Sequence, residues 1–149
     1  MKLIPIEIKT KVEGNSISDR KVKSFLRDRP TSSKDKTFLL YDIDVEGILE
    51  KLEKIKNTTL LVSNPCIELW FLLHYKDQTA SISTENCVKK VCVTWNNYKK
   101  GCLDLKAKEE LVEKQMDALK RAEKLTPNNN PSSTIPEIIR LLEKQRKNK

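Results

Sequence analysis

The chain has no CxxC pair and only one histidine, His74, so its four cysteines (Cys66, Cys87, Cys92 and Cys102) match none of the spacings of a structural zinc site. No metal is assigned to them. Cys66 and Cys92 stand in apolar runs and are expected as buried free thiols, the usual state in a reducing compartment. The start, Met1-Lys2-Leu3-Ile4-Pro5, lacks the apolar core of a secretion signal. The longest apolar run, residues 69–73, is far too short to span a bilayer. A cytoplasmic location with no membrane partner is therefore expected. There is also no internal repeat and no sign of a second domain, so residues 1–149 are read as one domain, long enough to bury a core without disulfide or metal staples.

The chain does carry positive charge: 29 Lys and Arg stand against 21 Asp and Glu, a formal charge of +8. Such a balance suits a polyanionic partner, but it suits solubility equally well, and only a basic patch beside a chemical site decides between them. Hydrophobic residues at 38% are enough for a folded core.

Residues 3–10 carry β-branched residues in near alternation and predict a strand. Ser18 is placed to cap a helix with Val22, Phe25 and Leu26 on its apolar stripe, ended by Pro30. Phe38-Leu39-Leu40-Tyr41 has the pattern of a strand buried on both faces. Helical spacing follows at Ile48, Leu49, Leu52 and Ile55, and then a second buried-type strand at Thr59-Leu60-Leu61-Val62. Strand, helix, strand makes a parallel pair, and parallel sheets bind ligands at the carboxyl ends of their strands. Asp42 and Asp44 fall at one such end, and Ser63, Asn64 and Pro65 at the other. Pro65 suits the first turn of an apolar helix running to His74. Residues 81–93 leave a short helix or irregular cover open. A long helix over residues 107–125 is expected to bury Leu111, Val112, Met116 and Leu119. A last helix covers about residues 135–144, and residues 144–149 form a frayed basic tail.

Asp42-Ile43-Asp44 is the sharpest local feature. Two carboxylates two residues apart on an extended chain point the same way and can share a hard cation such as Mg²⁺ or Mn²⁺, with Glu46 joining through water. The same residues also serve as ordinary turn and capping groups. Trp95, Tyr98, Lys99 and Lys100 mix aromatic and basic character, which suits stacking on exposed bases or, alternatively, a packed edge.

The segment Ser63-Asn64-Pro65-Cys66-Ile67-Glu68-Leu69-Trp70-Phe71-Leu72-Leu73-His74-Tyr75 resembles the SNPCFELWLLLHF signature of the RloB family. Asp42 and Asp44 are similar to the family's upstream acidic motif, and Asn130-Pro131-Ser132-Ser133-Thr134 is similar to its NPSTT segment. The resemblance runs over roughly residues 37–142. It implies an α/β, Toprim-like (Rossmann-like) parallel sheet with flanking helices and a helical C-terminal part. It further implies a Mg²⁺-dependent nuclease acting on RNA or DNA in a phage-defence, abortive-infection system, beside an AAA-type or ABC-type ATPase. Asp42, Asp44 and Glu46 would hold metal, and Ser63, Asn64 and His74 would support the site, with Asn64 fixing the strand-to-helix turn. Lys99 and Lys100 would bind nucleic acid.

The family's Cys-Glu-Gly-Glu-like segment, source of its catalytic glutamate, has no counterpart here. Either Glu13 of Val12-Glu13-Gly14-Asn15 takes that place, or residues 3–29 correspond to the family's second strand and helix and the chain is truncated. Glu68 is the other candidate acid or base, or else a structurally paired buried carboxylate. His74 is a hydrogen-bonded core histidine or a base. With the glutamate segment missing, little or no cleavage by the chain as it stands is the expectation, and a non-catalytic module partnering the ATPase is the alternative.

Overall fold

A computed structural model describes residues 7–29 and 32–147. Helix α1 (Asp19–Arg27) opens where Ser18 accepts a hydrogen bond from the Lys21 amide, and Val22 is its buried residue. Residues 7–10 have no regular structure and are exposed, so the predicted strand over residues 3–10 is not found there, and residues 3–6 and Pro30 lie outside the described part. Alternation predicts a strand only where one face is buried, and residues 7–10 have no such face.

Strands β1 (Phe38–Asp42) and β2 (Thr59–Asn64) run parallel on either side of α2 (Ile48–Glu53), with Phe38 opposite Thr59 and Asp42 opposite Ser63. β2 is central and well buried over Leu61, Val62 and Ser63. β1 is not buried on both faces, since Leu40 is 58% exposed. The third strand, β3 (Ser132–Ser133), pairs antiparallel with Ser63 and Asn64, so the sheet is mixed and the wholly parallel arrangement expected is corrected. Beyond β3 a single residue continues the ladder. Thr134 donates its N–H to the Val62 carbonyl (2.9 Å) and accepts the Val62 N–H on Oγ1 (2.9 Å), satisfying both backbone groups of a buried residue.

One side of the sheet packs Leu39, Ile43 and Val62 against Ile17 and Val22 and against Ile48, Leu52 and Ile55. The other carries α3 (Glu68–Leu73), α4 (Thr84–Thr94) and α5 (Leu105–Glu123), with Leu69, Trp70, Leu73, Cys87 and Leu119 at the centre. The α5 contact is made by Ala107, Ala118, Leu119 and Ala122. Of the predicted stripe, Leu119 is buried and Leu111 half-buried, but Val112 and Met116 face outward at 72% and 58% exposed. Alanines let the helix axes approach, and a pattern weighted to large side chains overlooks them. Helix α6 (Pro136–Lys147) continues through residues expected to fray. Cys66 is buried as predicted, whereas Cys92 is exposed and the second buried thiol is Cys87, which faces Cys66 across the α3–α4 contact.

Candidate functional site

Because paired strands carry registered side chains on the same face, Asp42, Ser63 and Ser133 form a polar row across the sheet beneath α3. The Ser63 and Ser133 hydroxyls are 3.0 Å apart and hydrogen-bonded. Asp42 Oδ1 accepts the Ile67 N–H at 2.8 Å, which uses one of the amides left free where the chain enters α3. Asp44 lies past the strand, and its Oδ2 accepts the Thr84 hydroxyl at 2.5 Å, from the first residue of α4. No described residue hydrogen-bonds the second oxygen of either carboxylate.

Both aspartates line a cleft of about 400 Å³ whose rim also includes Glu13, Asn15, Leu40 and Ile67. Burial raises the Asp42 carboxyl above its ordinary range, the Ile67 amide opposes that, Glu68 and Asp44 reinforce it, and Lys100 opposes it more weakly. Partial desolvation is thus the main cause, with like charge from Glu68 and Asp44 adding to it, and a cation would offset both. Glu13 reaches the cleft because Tyr41 donates its hydroxyl to the Glu13 carbonyl (3.0 Å) and Lys51 bonds the Asn15 carbonyl. The Glu13 carboxylate is itself engaged by Lys21 (3.0 Å) and Lys11 (4.0 Å), and the Lys21 bond chiefly holds its proton affinity below the ordinary range.

The remaining predicted residues fall elsewhere. Glu46 is exposed on the turn before α2, next to Gly47 (φ 79°), and does not line the cleft. Glu68 is buried behind Asp42 and accepts the Tyr98 hydroxyl at 2.8 Å, so it has a tyrosine partner. Asn64 does not fix the strand-to-helix turn; its amide donates to the Asn128 carbonyl (3.0 Å), and Pro65 precedes α3 instead of opening it. Lys99 and Lys100 are exposed on a tight turn closed by the Lys99–Cys102 bridge, and Lys100 is near enough to act on Asp42. Trp95 is buried and Tyr98 half-buried against Phe71, so they form a packed edge rather than a free stacking platform. Sequence reasoning named Tyr41 only within a strand and Asn130 only within the NPSTT-like segment, and it missed Thr84, since residues 81–93 were left open between a short helix and irregular cover.

His74 is buried, with Nδ1 2.8 Å from the Trp70 carbonyl and its ring edge-on to the indole. The carbonyl accepts, so Nδ1 carries a proton. Burial, more than the Arg121 charge, depresses its proton affinity, and the Trp70 carbonyl only partly offsets this. The unfolded state therefore binds more protons than the native state on acidification. Stability should fall as pH drops through the ordinary histidine value of about 6.5 towards the lower native one, by at most about 1.4 kcal/mol per pH unit. Urea midpoints at two pH values on either side of that range, with and without His74→Leu, measure this. An unchanged slope in the variant would assign it to other groups.

Together these features define an α/β protein with an acidic cleft at the carboxyl end of β1, the strand that runs parallel to β2. The family model of the RloB-like proteins matches residues 4–142, and the chain belongs to that family. No curated protein and no solved structure matches it.

Proposed function

We propose that the chain is a Mg²⁺-dependent, nucleic-acid-cleaving effector of a bacterial phage-defence system, with a Toprim-like active edge. The observation that carries this reading is that Asp42, Asp44 and Glu13 share one cleft at the end of β1. Among the described residues no three His, Cys, Asp or Glu side chains converge to enclose an ion. Mg²⁺ does not need such a cage, since it is held by one or two carboxylates with water completing the shell. The aspartate pair fits that pattern, because neutral donors orient both carboxylates without an ion pair and leave each one open oxygen. When bound, Mg²⁺ supplies charge neutralisation at a phosphate. Asp42 and Asp44 would hold it, Lys100 would draw the phosphodiester to the cleft, and Glu13 would take up or deliver the proton. Lys99 would add backbone attraction for RNA or DNA.

Mg²⁺ or Mn²⁺ at about tenfold over its Kd should raise the Tm by about 2–5 °C, because a ligand bound only by the native state stabilises it. Asp42→Asn combined with Asp44→Asn should abolish the shift. The absence of any shift in the unmutated chain at millimolar metal would remove the metal site.

A second reading is favoured by the two lysines on Glu13, since a carboxylate whose proton affinity is depressed is a poor proton carrier. In that reading the domain is a non-catalytic partner of an AAA-type or ABC-type ATPase. Nucleic-acid affinity would then come from lysines, fall steeply with salt and be indifferent to Glu13.

A further inference from the structure

Asp44 lies beyond the end of β1, where no ladder fixes its backbone, yet its carboxylate is one wall of the cleft. What holds it is Thr84 Oγ1, at 2.5 Å. Thr84 is in turn placed from a distant part of the chain. Two residues upstream, the Ile82 N–H donates to Asn130 Oδ1 (2.9 Å), and the Ile82 carbonyl accepts from Asn130 Nδ2 (2.8 Å). Two bonds from one planar amide to a single residue's backbone fix orientation as well as position. Ile82 is also buried in the α3 core, and Ser83 then caps α4 by accepting the Asn86 N–H at 3.2 Å. Thr84 follows as the first residue of α4. Asn130 lies two residues before β3, which pairs with β2 beside Asp42. One short segment therefore braces both acidic residues, Asp42 through the sheet and Asp44 through Ile82 and Thr84.

We propose that Thr84, set in place by the Asn130 clamp on Ile82, is a positioning residue for Asp44 and tunes the affinity of the cleft for a divalent cation. The inference rests on the metal-site reading above. The donor type supports it. A lysine on Asp44 would compete with a cation for the carboxylate, as Lys21 would on Glu13, whereas a hydroxyl orients the carboxylate without bringing a competing positive charge. Ordering the ligand before the ion arrives removes an entropic cost from binding.

The test is Mn²⁺ binding to the full chain, followed by the electron paramagnetic resonance signal of free Mn²⁺, with metal-free melting as the control for folding. Thr84→Val keeps the side-chain shape and removes the donor. It should weaken binding about tenfold, the upper end of the cost of ordering one side chain on binding, with a metal-free Tm close to that of the unmutated protein because the bond is exposed. Thr84→Ser restores the hydroxyl and should return affinity to within about threefold. Asn130→Ala should weaken binding in the same direction, and the double variant should be no weaker than Thr84→Val alone, since both act along one path. Equal Mn²⁺ affinity in Thr84→Val and the unmutated chain overturns the positioning role while leaving the metal site standing. Additive losses in the double variant overturn the part given to Asn130. An unmutated chain that binds no Mn²⁺ at millimolar concentration overturns the metal reading itself, and the positioning role with it.

Discussion

Trp70→Ala should lower the unfolding free energy by about 3–5 kcal/mol, the range for deleting a large aromatic side chain from a packed core. Trp70 is only 6% exposed and packs with Leu69, Leu73, Cys87 and Leu119, and its ring meets His74 edge-on at 4.8 Å between centroids. Helix α3 has six residues, too few to be stable as an isolated helix, so its presence depends on the side chains it buries. Removing the indole leaves a cavity that the neighbouring helices cannot fill without moving the elements that carry Glu68 and Thr84. Urea unfolding followed by circular dichroism measures the loss. Trp70→Phe should recover most of it, and Leu40→Ala, on the exposed face of β1, should change stability by no more than about 0.5 kcal/mol. A Trp70→Ala cost below about 1 kcal/mol would contradict the packing described for this core.

The largest functional effect is expected at Asp42. Purified chain with Mg²⁺ should cut RNA or DNA, and Asp42→Asn should reduce that cutting by about 10²-fold or more, because one substitution removes both a metal ligand and the charge that retains the ion. Glu13→Gln separates the two readings. If Glu13 moves the proton, the rate should fall by about 10²–10⁴-fold, the range for a positioned acid or base, while metal binding persists. If the domain only binds, there is no cutting to lose, and the nucleic-acid affinity of Glu13→Gln should equal that of the unmutated chain. Cleavage that survives Asp42→Asn would point to a contaminating nuclease and defeat the catalytic proposal. The missing glutamate segment argues from sequence for little or no cleavage. Glu13 on the rim of the acidic cleft argues the other way, and the cleavage assay decides between them.

The parallel strand pair and its intervening helix were legible because three kinds of signal agree there: continuous apolar runs in Phe38-Leu39-Leu40-Tyr41 and Thr59-Leu60-Leu61-Val62, helical spacing between them, and polar residues where each run stops. The helix through Trp70 was legible for the same reason. The rest was hidden by partners remote in sequence. β3 is two residues long, too short to leave a pattern, and it exists because Ser63 and Asn64 offer it an edge. The inward face of α5 is made of three alanines and Leu119, and sequence patterns read the alanines as neutral. Cys87 and Cys92 occupy one helix, and only the direction from which α3 packs decides that the first is buried and the second exposed. At the cleft, Asp42 and Asp44 could be nominated from their spacing. The hydroxyl that orients Asp44 comes from 40 residues away and could not.

The double hydrogen bond between Thr134 and Val62 joins residues 72 apart in the chain. Such a closure sets an order of events during synthesis. β1, α2 and β2 can associate as soon as they are made, because their contacts are local, whereas the central strand keeps an open edge until the segment around residue 134 has emerged. For that interval Val62 has neither of its backbone groups matched on that side, and the exposed edge of β2 is available to any other extended chain. The threonine that later covers it thus works as a closing stitch: a chain interrupted before it would carry the acidic residues of the cleft on a sheet prone to pair with its neighbours.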